Sequence, residues 1–306
     1  MDTDHSSMLL TDARIRERVG QAVCLTGTAR SGTTLVGSLI HSMRGVEYSF
    51  EPPTLVTLFL LLDQLPAEAW KLLYETYLFD EVMVNGLGGR FMNLNPHDDS
   101  SILRAKTCSE VFGRFEKSHP YGGLFDEGLQ RTIAYKIPRL MPYIPALRQL
   151  YPGTRFLVML RHPDPVALST DRKGWFIPPQ QTYRDSGTLR EVDGQIVSAW
   201  IPPEDARQWM ELSPLDRAYR YYASMYEPLL TQPDLLIVNY ESLMDRTAEV
   251  SARIAERLGL EPGAKTAEIV ASVHERHPRD LSPEGVSKEC REQALEIHRQ
   301  CARLAI

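Results

Sequence analysis

The chain has 306 residues, of which 43% are hydrophobic and 24% are charged, and its formal net charge is −6. This length and composition predict a soluble globular protein with a substantial core, long enough for one large domain or two small ones. The acidic balance argues against broad binding to nucleic acid or anionic membranes, so an anionic ligand must be held by locally placed basic groups and amides.

Neither a signal peptide nor a membrane anchor is predicted. Residues 1–21 lack the apolar run of a secretory signal. The longest apolar run, Leu55–Leu62, is too short to cross a bilayer. The four cysteines have neither metal-type nor disulfide-framework spacing. We therefore expect a soluble protein in a reducing, cytoplasmic compartment.

Short apolar runs alternate along the chain with segments of helical periodicity. Most of these runs are apolar on both faces, which is typical of parallel strands covered by helices. The predicted strands are Ala22–Thr26, Val46–Phe50, Ile133–Ile137, Phe156–Leu160 and Leu235–Asn239. The predicted later helices are Pro214–Leu230, Leu243–Leu258, which Gly259 is placed to end, and Pro283–Leu304. The alternation predicts an α/β fold with a doubly wound parallel sheet of about five strands and helices on both faces.

The turn after the first strand is the most informative segment. Thr26-Gly-Thr-Ala-Arg-Ser-Gly-Thr-Thr34 has two glycines at the spacing of a nucleotide phosphate-binding loop and leads directly into a helix. The free N–H groups and positive dipole end of such a helix bind anions. Thr33 stands where an ATP- or GTP-binding loop has lysine. The loop is therefore expected to hold a phosphate-like group that is not the end of a nucleoside triphosphate.

A second anion site is predicted after the strand Phe156–Leu160. Arg161 follows the carboxyl end of this strand, where open α/β sheets bind their ligands. Ser169 lies eight residues further along, a turn or two into the helix that follows. A guanidinium fork together with a hydroxyl suits a phosphate monoester.

Together these segments resemble the sulfotransferase family. Residues 26–34 resemble its 5′-phosphosulfate loop, and Arg161-His-Pro…Ser169 resembles its 3′-phosphate motif at the family's spacing. Tyr240-Glu-Ser-Leu243 is similar to its Tyr-Glu-Asp-Leu segment, and Phe50-Glu-Pro52 to the Phe-Glu-Pro of its carbohydrate-modifying members. The resemblance covers roughly residues 22–259. It is nearest to the carbohydrate, tyrosylprotein and bacterial members, whose loop reads Arg-Ser-Gly-Thr-Thr or a Ser variant of it.

The resemblance implies a P-loop-like sheet and the donor 3′-phosphoadenosine 5′-phosphosulfate (PAPS), which leaves as 3′-phosphoadenosine 5′-phosphate (PAP). The implied donor-binding residues are Thr28, Arg30, Ser31, Gly32, Thr33, Thr34, Arg161, Ser169 and Tyr240. Leu35 replaces a tryptophan of many members, and no C-terminal Arg-Lys-Gly-x-x-Gly loop is present, so the contacts to adenine are left open. No metal is expected, because no Asp-rich motif accompanies the loop and His274 and His277 lack a third ligand.

Three side chains are predicted to act on the reacting groups. Glu51 ends a strand that we expect beside the first strand, and its carboxylate is the predicted general base for an acceptor hydroxyl. His119 is the alternative base, as in the phenol-type members. Arg30 is placed to stabilise the departing phosphate. Lys136 resembles a basic residue that some members place near the sulfate or the acceptor.

Residues 1–306 are predicted to form a single domain, with insertions at 52–132 and 171–213 that cover the acceptor. The predicted acceptor-pocket residues are Arg139, Trp175, Phe176, Trp200 and Trp209, and Tyr183 is a further aromatic there. Aromatic faces stack equally well on a sugar, a polyketide or an aromatic ring. The expected acceptor is therefore a small molecule or carbohydrate hydroxyl, and the oligomeric state is left open.

Two other functions stay open. The missing loop lysine and the lack of an acidic partner for a metal argue against a P-loop kinase or NTPase. A non-catalytic nucleotide-binding protein of the same fold is opposed by the presence of Arg30, Glu51, Arg161 and Ser169. Binding of PAP without turnover of any acceptor would favour the second of these alternatives.

Overall fold

The computed structural model describes residues 9–116, 120–177, 188–273 and 283–306. At its centre lies a five-stranded parallel sheet with the order β2-β3-β1-β4-β7. The strands are β1 (Val23–Gly27), β2 (Val46–Phe50), β3 (Thr132–Lys136), β4 (Arg155–Leu160), β5 (Leu189–Val192), β6 (Gln195–Ser198) and β7 (Leu236–Asn239). β5 and β6 form a separate antiparallel pair. The five predicted strands are confirmed, with ends within one residue of the predicted ones.

Helices cover both faces of this sheet and connect its strands. They are α1 (Ala13–Gly20), α2 (Thr33–Ser42), α3 (Pro53–Leu60), α4 (Ala67–Thr76), α5 (Asn85–Leu87), α6 (Cys108–Phe112), α7 (Tyr121–Leu129), α8 (Ile144–Leu150), α9 (Pro163–Arg172), α10 (Ala206–Glu211), α11 (Pro214–Tyr226), α12 (Tyr240–Asp245), α13 (Thr247–Leu258), α14 (Thr266–Ala271) and α15 (Lys288–Ala302). A π-helical segment spans Tyr77–Val84, and 3₁₀ turns span Ile102–Arg104, Met141–Tyr143, Pro203–Asp205 and Glu227–Thr231.

The predicted helices are present, but their ends differ from prediction for local reasons. The helix that begins at Pro214 ends at Tyr226 and continues only as a 3₁₀ turn. The predicted helix 243–258 is divided between α12 and α13. The break lies at Arg246, whose backbone angles, φ −132° and ψ 51°, are not helical. Gly259 ends α13 in the left-handed conformation, as predicted. The last helix begins only after Ser287, whose side chain accepts a hydrogen bond from the Cys290 N–H.

Strand side chains alternate between two apolar cores, one on each face of the sheet. In β1, Cys24 belongs to one core, whereas Val23 and Leu25 belong to the other. In β4, Val158 lies with Cys24 and Leu157 lies with Val23. Because both faces are buried, polar side chains can meet a ligand only where the strands end.

The strand that carries Glu51 does not neighbour the first strand, so that expectation is wrong. β3 lies between them: Lys136 of β3 is opposite Leu25 of β1 on one side and opposite Phe50 of β2 on the other. The reason is that the long segment after β2 returns to insert β3 between the two earlier strands. Lys136 therefore lies between the loop after β1 and Glu51.

Candidate functional site

The loop between β1 and α2 leaves the start of the helix open. Gly32 is the N-cap residue of α2, with φ 93° and no side-chain cap. Among the described residues, none accepts a hydrogen bond from the N–H groups of Gly32, Thr33 or Thr34. A Cβ at Gly32 would lie 2.5 Å from Cδ2 of Tyr240, so the left-handed turn and the close approach both require glycine. The open N–H groups and the helix dipole make this helix start suited to an anion, as predicted for the loop.

The inner side of the same loop is held by two tyrosines of α11. The Tyr226 hydroxyl lies 3.3 Å from the Thr28 nitrogen, from which it accepts, and 3.2 Å from Thr28 Oγ1. It donates to the Met159 carbonyl at 2.5 Å. The Tyr221 hydroxyl accepts from the Ala29 N–H at 3.1 Å. Tyrosine is suited to this position because its hydroxyl both donates and accepts.

Two predicted donor-binding side chains are engaged within the loop. The Ser31 hydroxyl donates to the Thr28 carbonyl at 2.6 Å, and both residues are fully buried. The Thr28 hydroxyl lies against Tyr226. These side chains therefore shape the loop, and a direct contact between either of them and a ligand stays a prediction.

Helix α11 also holds the second predicted anion motif. The Tyr222 hydroxyl donates to the Arg161 carbonyl at 2.8 Å, and the Tyr219 hydroxyl donates to Asp164 at 2.6 Å. Arg291 of α15 donates to the same carboxylate at 2.8 and 3.2 Å. Burial raises the pKa of Asp164, but hydrogen bonds from Arg291 and Tyr219 outweigh it and leave the pKa below its ordinary value.

The helix itself was predicted, but the role of its tyrosines was not. Its signal is the run of four tyrosines between positions 219 and 226, which we interpreted only as part of a helix. All four are buried. A buried tyrosine must satisfy its hydroxyl, so four of them on one helix indicate a polar framework inside the protein.

The two predicted anion motifs meet at Arg30 and Arg161. Arg161 Nη1 donates to the Arg30 carbonyl at 2.8 Å, and Arg30 Nε donates to the Ser169 hydroxyl at 3.0 Å. The Arg161 guanidinium lies 4.4 Å from the ring centroid of Tyr240. Arg161 Nε is buried without a partner in the described part of the chain. The fold thus brings four predicted donor-binding residues together.

Lys136 connects the loop to Glu51. Its Nζ lies 2.7 Å from Glu51 Oε1 and donates to Thr34 Oγ1 at 3.0 Å. It also lies 3.7 Å from the ring centroid of Phe50. Burial lowers the pKa of Lys136, while the charge and hydrogen bond of Glu51 oppose that shift. The lysine is fully buried, whereas the Glu51 side chain is 42% exposed. Solvent therefore reaches this ion pair from the Glu51 side.

Three predicted site residues have unusual backbone geometry. Arg30, Glu51 and Arg139 have φ values of +72°, +46° and +71°. A non-glycine residue with positive φ costs of order 1–3 kcal/mol and persists only where the surrounding structure imposes it. All three follow carboxyl ends of neighbouring strands. The strain therefore coincides with the predicted site.

The predicted acceptor-pocket residues separate into a buried group and a half-buried group. Phe176 and Trp209 are 2% and 4% exposed, and their ring centroids lie 5.6 Å apart. The Arg139 guanidinium lies 5.6 Å from the ring centroid of Trp200. Trp175 and Trp200 are half-buried. Of the four aromatic residues, these two have exposed surface with which to contact an acceptor, and that contact stays a prediction. His119, Tyr183, His274 and His277 lie outside the described residues.

A cleft of about 1310 Å³ opens at this edge of the sheet. Seven predicted residues line it: Arg30, Gly32, Thr33, Thr34, Arg161, Ser169 and Tyr240. Among the described residues, its lining includes six basic side chains, Arg30, Arg104, Arg161, Arg172, Lys173 and Lys265, but only two acidic ones, Asp99 and Glu268. A cationic cleft in a chain of net charge −6 is suited to an anionic ligand.

The described ranges contain neither a metal-binding cluster nor a membrane-spanning helix. Within residues 9–116, 120–177, 188–273 and 283–306, no group of three or more His, Cys, Asp or Glu side chains could hold a metal ion. Within these same ranges, every helix is too short or too polar to cross a bilayer.

Comparison with known proteins identifies the family. The model of the sulfotransferase family matches residues 22–263. Among curated proteins, no sequence matches this chain significantly.

Solved structures with a similar fold share little sequence with this chain. The sulfotransferase domain of the olefin synthase from Synechococcus PCC 7002 is 14% identical, with 92% of this chain and 94% of that one covered and a TM-score of 0.47. Sulfotransferase STF9 from Mycobacterium avium is 15% identical, with 94% and 76% covered and a TM-score of 0.43. A sulfotransferase from Alicyclobacillus acidocaldarius is 15% identical, with 92% and 93% covered and a TM-score of 0.41.

Replacing Tyr226 by phenylalanine tests the framework behind the loop. Tyr226→Phe leaves the Thr28 N–H buried without its acceptor, so we expect the free energy of unfolding to fall by about 1–3 kcal/mol. Urea unfolding followed by circular dichroism measures this change. The control is Tyr121→Phe, which removes an exposed tyrosine hydroxyl that donates to Asp80. This change should lower the free energy of unfolding by no more than about 0.5 kcal/mol. Equal stability of the two variants would contradict the assignment.

Proposed function

We propose, since this chain belongs to the sulfotransferase family, that it transfers a sulfuryl group from PAPS to a hydroxyl of a small-molecule or carbohydrate acceptor. The observation that carries the proposal is the contact between the two anion motifs through Arg30 and Arg161. PAPS has phosphate groups on both the 5′ and 3′ positions of one nucleoside. It therefore requires two adjacent anion sites of this kind.

In this proposal each motif binds one end of the donor. The open N–H groups of Gly32, Thr33 and Thr34, with Arg30, hold the 5′-phosphosulfate at the helix N-terminus. Arg161 and Ser169 hold the 3′-phosphate, since a guanidinium and a hydroxyl form charge-assisted hydrogen bonds to its oxygens. Tyr240 packs against both motifs and keeps their spacing.

The reaction is an in-line displacement at sulfur. The acceptor oxygen forms a bond to sulfur, the bond from sulfur to the 5′-phosphate oxygen breaks, and PAP leaves. Glu51 accepts the hydroxyl proton, because it is the half-exposed carboxylate that adjoins the loop through Lys136. Negative charge that develops on the departing phosphate is stabilised by Arg30 and the loop amides.

Lys136 has two roles in this scheme. Its ammonium group holds the Glu51 carboxylate at 2.7 Å and lies beside Thr34 at the start of α2. The positive charge thus adjoins the position where the sulfuryl group is transferred. A fixed charge in a buried site stabilises a transition state without the reorganisation that water requires.

Glu51→Gln tests the general base. The amide cannot accept the proton, so we expect the turnover rate to fall about 10²–10⁴-fold while PAP affinity is retained. Rates with PAPS and a responsive acceptor are measured beside calorimetric titration with PAP. The control Glu261→Gln changes an exposed carboxylate that pairs with Arg44 and should leave the rate unchanged. An unchanged rate in Glu51→Gln, or a loss explained wholly by weaker PAP binding, would remove Glu51 from this role.

The pH dependence of the rate tests Lys136. Burial holds the pKa of Lys136 below its ordinary value of 10.5, and Glu51 works against that shift. If the charged lysine is needed, the rate falls as the pH rises through this lowered pKa. In Glu51→Gln the opposing charge is absent, so the alkaline fall should move to lower pH. A rate that stays flat up to pH 10.5, or an alkaline fall at the same pH in both proteins, would contradict the role of Lys136.

A further inference from the structure

A second cavity lies at the opposite edge of the sheet from the donor cleft. Its volume is about 470 Å³. It is lined at the amino ends of β4 and β7 and at the carboxyl end of α13 by Arg148, Pro152, Gly153, Thr154, Arg155, Phe156, Asp234, Leu236, Arg257 and Leu258. None of these residues belongs to the proposed PAPS site.

The charges around this cavity are not neutralised. Of the described residues, Arg148, Arg155 and Arg257 line it with a single acidic residue, Asp234, and Arg18 is close enough to act electrostatically on Arg155. In the described part of the chain, no carboxylate lies within 4.0 Å of any of these four guanidinium groups. An excess of positive charge without ion pairs is unexpected on a chain of net charge −6.

Within the described residues, the Arg155 guanidinium donates only to main-chain carbonyls. Its Nε and Nη2 donate to the Gln21 carbonyl at 3.1 and 2.7 Å, and Nη1 donates to the Leu258 carbonyl. A guanidinium has five N–H donors, so two remain for a ligand. Burial and the charge of Arg18 lower the pKa of Arg155, which means that the charged form is disfavoured here. A bound anion would relieve that cost.

Thr154 supplies an independent observation. The residue lines the cavity, is only 7% exposed, and its Oγ1 is buried with no hydrogen-bond partner in the described part of the chain. Its N–H already donates to the Tyr151 carbonyl at 3.1 Å. A buried hydroxyl without a partner costs about 1–3 kcal/mol. An acceptor oxygen on a ligand in the cavity would satisfy it.

We propose that this cavity binds a phosphate or sulfate group, free or carried on a small ester, through Arg148, Arg155, Arg257 and the Thr154 hydroxyl. Guanidinium forks match two oxygens of a tetrahedral oxyanion, and a hydroxyl donates to a third. The cavity is larger than one inorganic ion, so it accommodates the organic part of an ester. The site is independent of the PAPS site and stands whether or not PAPS is the donor.

Calorimetric titration with sodium phosphate against sodium chloride at equal ionic strength tests this site. We expect saturable phosphate binding in the wild type that weakens about tenfold or more in the double variant Arg148→Ala/Arg257→Ala. Thr154→Val, which keeps the shape of the side chain, should weaken it less. The control Arg253→Ala removes an exposed arginine of the same helix that does not line the cavity and should bind as the wild type does.

Arg161→Ala separates this cavity from the donor cleft. Phosphate binding that persists in Arg161→Ala and is lost in Arg148→Ala/Arg257→Ala belongs to the cavity. The reverse pattern, or no saturable binding beyond chloride, overturns the proposal. Phenyl phosphate distinguishes the source of the group: tighter binding than inorganic phosphate indicates an ester, and equal binding indicates the free ion.

Discussion

The buried ammonium group of Lys136 is the contact on which the site depends. It lies at the end of β3, the strand between β1 and β2, so it reaches both the loop after β1 and Glu51. A buried charge is tolerated only when it is paired and hydrogen-bonded. Glu51 and Thr34 meet that requirement, and in doing so they fix the distance between the proposed general base and the loop after β1.

A second constraint comes from the tyrosines of α11, which hold both anion motifs from behind. Tyr221 and Tyr226 bind the loop after β1, while Tyr222 and Tyr219 bind the segment after β4. The motifs follow neighbouring strands, but their main-chain groups need partners that the sheet does not provide. One helix supplies them to both, which holds the two predicted anion motifs in a fixed relative position.

The strands and the motif residues could be predicted because their signals are local. Most of the strands are runs that are apolar on both faces, Arg30 and Arg161 follow such runs, and Lys136 lies near the end of one. The strand order could not be predicted, since it depends on where the segment after β2 returns. The contact between Tyr226 and Thr28 could not be predicted either, because it joins residues 198 positions apart in the sequence. The same holds for the buried Phe176 and Trp209, whose burial depends on helices packing around them.

The most direct test of the account is calorimetric titration of the protein with PAP, AMP and Mg·ATP side by side, repeated with Arg161→Ala. We expect PAP to bind at least about tenfold more tightly than AMP, because only PAP carries the 3′-phosphate. In Arg161→Ala this preference should disappear while AMP binding changes little. Tighter binding of Mg·ATP than of PAP, or no preference for PAP in the wild type, would contradict the proposed PAPS site.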